Sequence, residues 1–516
     1  MTSLWCRDPG LWGTKTFVLL FHVLVTYGVI GAVASAQTII IPTLSVSEMY
    51  DSNVFFTPKT LLGPELKPED FITTVTPQIN VAHTGSLIRG NLSVGALVTK
   101  YLENPDLDYT GVNAAGRLDF LQLAQKVSQR MTSLSVIGSY QFTPSMSTFG
   151  ASGGQYGAGY GTTTTGFTGL NSGLVTNRVS VQNANLGISG GYQLTRTTGL
   201  TGTYNYTSIF FGNQSGGAET QLFNTSGHNG TISLNTKLNP KDTVTTTGSI
   251  SHYIQDQSNG EGQGSFTTPS AMLNWSRIWT QKLNTTLGGG AILILPIEST
   301  VPGQSLKTQV APTIMASINY SSFLEGLRAA GSPPGPFDGL PSLAGSLNPG
   351  GIIQAGQYRA SLTYNYSIYP SYAYGAGPTK AHVFGATASG GITSKLTGQA
   401  GVNLAHGSSA DSLTSFTYDT VGVTVGARYL LGPILASLTY NWLYFANSAG
   451  QAAPGQSEYA LSKKTVMLAL SYAFTSQSFF RMDRIGSVAP PSAGEGTSGL
   501  SGGEPGSGPS GTGSGN

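Results

Sequence analysis

Large apolar side chains alternate with small or polar ones over many segments of this 516-residue chain. In 464–474 the large ones are Val466, Leu468, Leu470, Tyr472 and Phe474. The same two-residue period recurs in 112–120, 182–193, 357–368 and 419–429. Successive side chains of a strand point to opposite faces of a sheet. Each segment therefore predicts a β-strand with one apolar face and one polar face.

Extended over the whole chain, the alternation predicts eighteen strands, with sixteen as the alternative. Their approximate bounds are 43–51, 70–83, 87–101, 109–122, 132–142, 178–194, 197–211, 222–238, 243–255, 265–278, 283–295, 308–321, 356–369, 379–392, 396–406, 416–430, 434–446 and 458–474. The connections alternate between short and long, and an apolar-Thr-x-(Lys/Arg/Thr) turn follows candidates 6, 10 and 14. Short periplasmic turns and long extracellular loops are typical of outer-membrane barrels.

Composition favours a membrane barrel over a soluble sandwich. Only 9% of residues are charged, against about 25% in soluble domains. Beyond residue 36 no apolar run is long enough for a membrane helix, which needs about 20 residues. The polar face is rich in Asn, Gln, Ser, Thr and Gly, and aromatic residues gather near strand ends. Because backbone groups in lipid must pair within the protein, we predict an all-β, transmembrane, antiparallel barrel.

Both ends of the chain differ from the barrel segments. Arg7 and Lys15 precede an apolar run over 17–33, and the small residues Ala34 and Ala36 follow it. This pattern predicts a signal peptide over 1–36, cleaved before Gln37. We expect the barrel over 37–476 and a flexible Gly/Ser/Pro-rich tail over 477–516, with both mature termini periplasmic. Cys6 belongs to the signal, so disulfides and thiol catalysis are excluded for the mature chain.

The charged and amide residues of the polar face are the candidate functional residues. We expect the following to line the lumen: Arg89, Asn91, Arg117, Asp119, Asn235, Lys237, Arg359, Asn365 and Arg428. Charges around a pore tune which ions pass, and sixteen to eighteen strands enclose an aqueous channel. The alternative is a packed lumen, in which the same residues pair with one another. The segment 323–354 is expected to form a periplasmic connection or a partial plug.

No catalytic or cofactor chemistry is predicted. G-x-S-x-G occurs at 150–154 and 187–191, but neither site has the strand-turn-helix context of a nucleophile elbow. No metal site is expected either, because the mature histidines show no metal-ligand spacing; they are His83, His228, His252, His382 and His406. Asp51, Asn53, Asp106 and Asp108 are interpreted as hydrated loop residues rather than calcium ligands. The nearly neutral net charge predicts no nucleic-acid surface.

Three short motifs resemble a known family. SEMYDSNVF (47–55), DFITTVTPQINV (70–81) and LSYAF (470–474) are similar to the beta-barrel porin 2 family. The resemblance implies a Gram-negative outer-membrane barrel, in some members associated with exopolysaccharide, and carries no catalytic residues. Tyr472 and Phe474 resemble the terminal-strand signature read by the outer-membrane assembly machinery. In this chain the signature is followed by further residues instead of ending the sequence.

The expected function is passive passage of hydrophilic solutes or polysaccharide through an outer-membrane channel. Its expected partners are outer-membrane lipid, lipopolysaccharide, the assembly machinery and the solute. The alternative is a non-conducting scaffold or surface-binding barrel that acts through its extracellular loops.

Overall fold

The eighteen predicted strands are present and pair in sequence order. The computed structural model describes residues 37–55, 66–146, 179–211, 223–257, 263–298, 308–322, 356–370, 378–409, 416–449 and 459–474. The strands are β1 (Gln37–Asp51), β2 (Asp70–Thr84), β3 (Arg89–Tyr101), β4 (Tyr109–Asp119), β5 (Met131–Met146), β6 (Val179–Gln193), β7 (Thr198–Phe211), β8 (Phe223–Lys237), β9 (Asp242–Gln257), β10 (Gln263–Thr280), β11 (Leu283–Glu298), β12 (Gln309–Ser321), β13 (Tyr358–Pro370), β14 (Pro378–Gly391), β15 (Leu396–Ser409), β16 (Phe416–Leu431), β17 (Ile434–Ala449) and β18 (Tyr459–Ala473).

The sheet closes on itself through its first and last strands. β1 pairs antiparallel with β2 along one edge and with β18 along the other, from Thr43 opposite Ala473 to Asp51 opposite Thr465. Closure leaves no strand edge with unpaired backbone groups, which is the condition for crossing lipid as a sheet. The predicted closed antiparallel barrel of eighteen strands is confirmed, and the sixteen-strand alternative is wrong. No helix among the described residues is long and apolar enough to cross a membrane.

The two rims of the barrel are built differently. We call the rim that holds the start of β1 and the end of β18 the terminal rim, and the opposite one the distal rim. At the terminal rim six connections have only two to four residues; they are 85–88, 194–197, 238–241, 281–282, 392–395 and 432–433. Gly432 has φ 60°, a left-handed conformation that favours glycine. Tight turns at this rim fix the strand register.

Three of these turns share one hydrogen-bond pattern. The hydroxyl oxygen of Thr195 accepts bonds from the backbone N–H groups two and three residues later, at 3.2 and 3.0 Å. Thr280 and Thr393 accept the equivalent pairs at 3.0–3.2 Å. A threonine that satisfies two turn donors stabilises the turn locally. The threonine turn predicted after candidates 6, 10 and 14 therefore has a structural cause.

In the part of the chain that the structure describes, two short helices interrupt the strands. The connection between β4 and β5 contains the α-helix α1 (Leu121–Val127), so the predicted strand 109–122 ends too late. Its first turn is held by Asp119, whose carboxylate accepts a bond from the N–H of Leu121 at 2.9 Å. A 3-10 helix, Pro105–Leu107, lies between β3 and β4.

Strand register sorts the side chains into two faces. The face we call the apolar face carries exposed large hydrophobic residues, among them Ile40, Val94, Ile232, Leu273, Leu287, Val310 and Leu468. The other, the polar face, carries buried amides and hydroxyls, among them Ser93, Asn113, Asn185, Asn274, Asn284, Thr313 and Thr465. In a soluble protein the exposed and buried sets would be reversed.

Candidate functional site

All nine predicted lumen residues lie on the polar face. Arg89 stands opposite Asp119 in the β3–β4 ladder, and Asn91 stands opposite Arg117. The remaining five are distributed around the barrel, on β8 (Asn235, Lys237), β13 (Arg359, Asn365) and β16 (Arg428). The structure therefore brings four of the nine together and spreads the others.

Several of these side chains remain accessible although they point away from the apolar face. Arg89, Arg117, Lys237 and Arg359 are exposed. Asn235 is half-buried and accepts a hydrogen bond from the hydroxyl of Thr245 at 2.6 Å. Exposed charges on the polar face indicate that space for water adjoins this face near the terminal rim.

Charge is unevenly distributed between the two rims. Among residues with described side chains, the terminal half carries twelve basic residues: Arg89, Arg117, Lys126, Arg130, Arg196, Lys237, Lys241, Arg277, Lys282, Arg359, Lys395 and Arg428. Its two described acidic residues are Asp119 and Asp242. The distal half carries eight acidic residues, Glu48, Asp51, Glu69, Asp70, Glu103, Asp106, Asp108 and Asp419, and five lysines, 67, 100, 380, 463 and 464. The described side chains are thus predominantly basic at the terminal rim and predominantly acidic at the distal rim.

Asp70 organises the distal ends of β2 and β3. It is fully buried and accepts backbone bonds from Leu102, Glu103 and Asn104 at 2.9–3.0 Å, together with the side-chain amide of Asn104 at 2.8 Å. An apolar cluster of Val54, Phe55, Ile72 and Tyr101 packs close by. Four donors satisfy the buried carboxylate, so its charge is compensated within the wall.

Ion pairs next to this cluster shift two side-chain pKa values. Lys67 binds Glu103, and this hydrogen bond and charge raise the pKa of the Lys67 ammonium. Burial works to raise the pKa of Asp108, but the bonds from Lys100 (2.7 Å) and from the N–H of Tyr101 (2.8 Å) outweigh it and lower that pKa. The Asp108 carboxylate therefore stabilises the connection at neutral pH, and this contribution is lost as acidification passes its lowered pKa.

A second buried charge pair lies on the strand closure. The Lys463 ammonium contacts the Asp51 carboxylate at 2.7 Å, and both side chains are less than a tenth exposed. Asp51 also accepts the N–H of Asn53 at 3.0 Å. The interpretation of Asp51 as a hydrated loop residue is wrong, because it is buried and paired. No three metal-ligating side chains in the described ranges are placed to hold a metal ion.

Tyr472 and Phe474, the predicted assembly signature, lie at the terminal end of β18. Their rings meet edge to face with centroids 4.7 Å apart, and the N–H of Phe474 donates to the carbonyl of Pro42 at 2.9 Å. Both side chains are exposed on the apolar face. Recognition of this pair by the assembly machinery stays a prediction.

Of the remaining sequence predictions, one concerns described residues and the others do not. Ser189 of the second G-x-S-x-G motif lies inside β6, as inferred, and its hydroxyl is hydrogen-bonded to that of Ser135 at 2.8 Å. Ser152 of the first motif, the signal 1–36, the segment 323–354 and the tail 477–516 lie outside the described residues.

Comparison with known proteins gives distant structural matches only. No protein-family model matches the chain, so the resemblance to the beta-barrel porin 2 family has no support from one. A search of curated proteins found no match. Among solved structures, OccAB2 of Acinetobacter baumannii matches at 9% identity and a TM-score of 0.40, covering 84% of this chain and 98% of its own. The outer-membrane protein OpdK of Pseudomonas aeruginosa matches at 10% identity and a TM-score of 0.38, covering 84% and 98%. At these scores no function is transferred.

Proposed function

We propose that this protein is an outer-membrane channel for passive passage of small hydrophilic solutes. The proposal rests on a closed barrel with two different faces. One face exposes large hydrophobic side chains, and the other is polar and carries exposed charges. Apolar side chains that are exposed around a closed sheet require lipid as their surroundings. The polar face then lines the lumen, and the nine predicted residues lie along it.

Barrel size supports an open lumen over a packed one. With eighteen strands a barrel encloses more volume than its own side chains fill, so water enters. The exposed Arg89, Arg117, Lys237 and Arg359 fit a wet vestibule at the terminal rim. Passage of a polysaccharide rests on the family resemblance alone, so small solutes are the substrate class we propose.

Orientation follows from the connections. Six of the eight connections at the terminal rim have two to four residues, whereas those at the distal rim have five or more. Because outer-membrane barrels have short periplasmic turns, this asymmetry supports a periplasmic terminal rim. In this orientation both ends of the mature barrel, 37–476, are periplasmic after removal of 1–36, and the tail 477–516 belongs to the periplasmic side. Lipopolysaccharide would surround the distal part of the apolar face.

Planar-bilayer recording tests the channel directly. The mature protein, refolded in detergent and checked by its heat-dependent gel mobility, is expected to produce stepwise conductance increases. A correctly folded preparation that inserts into the bilayer and never conducts would contradict the channel and favour the non-conducting scaffold.

Lysine scanning on β8 tests which face meets lipid. Ile232 is 63% exposed on the apolar face, at mid-strand. Ile232→Lys is expected to cost about 2–4 kcal/mol of unfolding free energy, because a cation at the bilayer midplane loses its hydration. The matched control Thr231→Lys places the same cation on the polar face and is expected to cost much less. Urea unfolding in lipid vesicles measures both, and equal costs would contradict the assignment of the faces.

A further inference from the structure

One arrangement of aromatic and histidine residues occurs twice on the apolar face, six strands apart. The segment T-Y-N-Y stands at 203–206 in β7 and at 363–366 in β13. In β7–β9, Tyr206 stands opposite His228, which stands opposite His252. In β13–β15, Tyr366 stands opposite His382, which stands opposite His406. Four of the five mature histidines therefore form two cross-strand pairs, which their spacing along the chain did not predict.

The first histidine of each pair is held in the same way. The hydroxyl of Tyr204 is hydrogen-bonded to Nδ1 of His228 at 2.7 Å, and that of Tyr364 to Nδ1 of His382 at 2.9 Å. The ring centroids are 6.2 Å apart in both copies, and the ring planes meet at 35° and 34°. The second tyrosine of each copy lies closer to the histidine ring, at 5.0 and 4.3 Å. Two copies of one geometry indicate a defined arrangement rather than scattered interfacial histidines.

The copies differ at one position, the partner of the second histidine. Nδ1 of His252 meets the hydroxyl of Thr267 at 3.0 Å, whereas Nδ1 of His406 meets the carboxylate of Asp419 at 2.8 Å. A carboxylate can only accept, so Asp419 holds the proton of His406 on Nδ1 and leaves Nε2 with a free lone pair. A hydroxyl can donate or accept and does not impose that tautomer. No hydrogen bond within the described ranges occupies Nε2 of His382 or His406.

We propose that His382 and His406 bind a divalent transition-metal ion, of the Zn²⁺ type, through their Nε2 atoms. Imidazole nitrogen is a preferred ligand of this class of ion. Metal-bound histidines commonly donate their other N–H to a carboxylate, and Asp419 supplies that carboxylate. The two ring centroids are 6.4 Å apart, a separation at which a small side-chain adjustment would bring both rings to one ion. Water completes the coordination.

The surroundings set limits on affinity. Asp419 and His406 are both more than half exposed, and each lies three residues from the distal end of its strand, where water at the membrane boundary would hydrate the ion. Lys380 lies on the same face two residues before His382 and opposes a cation, while Asp419 favours one. Two protein ligands without a third give moderate binding, well below that of a closed structural zinc site.

Calorimetric titration of the full mature barrel in detergent micelles with Zn²⁺ alone tests the site. At pH 7.5 we expect one ion per barrel, with binding lost by tenfold or more in His382→Ala and in His406→Ala. Asp419→Asn keeps both ligands and is expected to weaken binding by about tenfold or more, as loss of an orienting partner does elsewhere. His228→Ala, in the copy without a carboxylate, is the matched control and should leave the affinity unchanged.

Each other outcome overturns the site. The proposed site is contradicted if no binding heat is seen up to millimolar Zn²⁺. It is also contradicted if His406→Ala binds Zn²⁺ with the same affinity as the parent protein. Equal losses in His228→Ala and His382→Ala would indicate diffuse binding rather than a site at β14–β15. Co²⁺ absorption distinguishes a folding defect from a lost ligand, because Asp419→Asn should retain a weakened nitrogen-ligand spectrum in a barrel with native gel mobility. The test does not require conductance, so it stands apart from the proposed function.

Discussion

A preference for anions is the expected result when the channel is recorded across a KCl gradient. Among the residues with described side chains, the polar face of the terminal half carries five cations and one acidic residue, Asp119; the cations are Arg89, Arg117, Lys237, Arg359 and Arg428. At the distal end the buried charges are compensated, because Asp51 pairs with Lys463 and Asp70 accepts four hydrogen bonds. The described side chains of the polar face therefore carry a net positive charge near the terminal rim.

Neutralising exposed polar-face cations is expected to reduce this preference strongly. One unit charge a few ångströms from an ion is worth about 1 kcal/mol in water, or roughly fivefold in a permeability ratio. The triple change Arg117→Gln, Lys237→Gln and Arg359→Gln should therefore move the ratio of anion to cation permeability toward or below one. The effect should shrink at 1 M salt, where the screening length falls to about 3 Å.

A matched triple change separates the lumen wall from the rim as a whole. Lys241→Gln, Lys282→Gln and Lys395→Gln remove the same charge from turns of the terminal rim. Their reversal potential should stay close to that of the parent at physiological salt. If both triple variants shift the reversal potential equally, selectivity comes from the overall charge of the rim and not from the proposed lumen residues.

Breaking the Asp51–Lys463 pair is the second change with a large expected effect. Lys463→Met leaves the Asp51 carboxylate buried without its cation, which typically costs about 3–5 kcal/mol. The change weakens the pairing of β1 with β18, which closes the barrel. Asp51 also stands opposite Asp70 in the β1–β2 ladder. We expect a lower urea midpoint in micelles and earlier loss of the heat-resistant gel form.

Two further variants identify the cause. Asp51→Asn combined with Lys463→Met removes both charges and should recover most of the lost stability, since no isolated charge remains buried. Lys464→Met changes the neighbouring lysine, which is exposed on the apolar face, and should cost little. A loss in Lys463→Met no larger than in Lys464→Met would show that the pair does not stabilise the closure.

The barrel itself could be predicted because its signals are local. Alternation along β18 and threonine turns such as 393–395 depend on neighbours within a few residues, so the sequence carries them directly. Strand ends are harder to predict. β1 begins at Gln37 rather than near 43, because its first residues pair with β2, and that pairing is not visible in the local sequence of β1. The helix α1 was missed because its seven residues are too few to show a clear helical period.

The paired side chains could not be predicted because they depend on register between distant segments. Asp51 and Lys463 meet only when the last strand closes on the first. His382 and His406 meet because the turn 392–395 sets the β14–β15 pairing, and Asp419 joins them from a third strand. The repeated T-Y-N-Y segment was the one sequence signal that marked this neighbourhood, and its significance depends on the histidines opposite it.

The unequal connections at the two rims have an evolutionary consequence. Six hairpins are each aligned by a tight turn at the terminal rim, so their pairing does not depend on the sequence at the distal rim. Insertions and exchanges between β-strands at the distal rim can then accumulate with little penalty for folding. Peptide segments grafted into the connections of the distal rim should therefore leave the barrel able to fold.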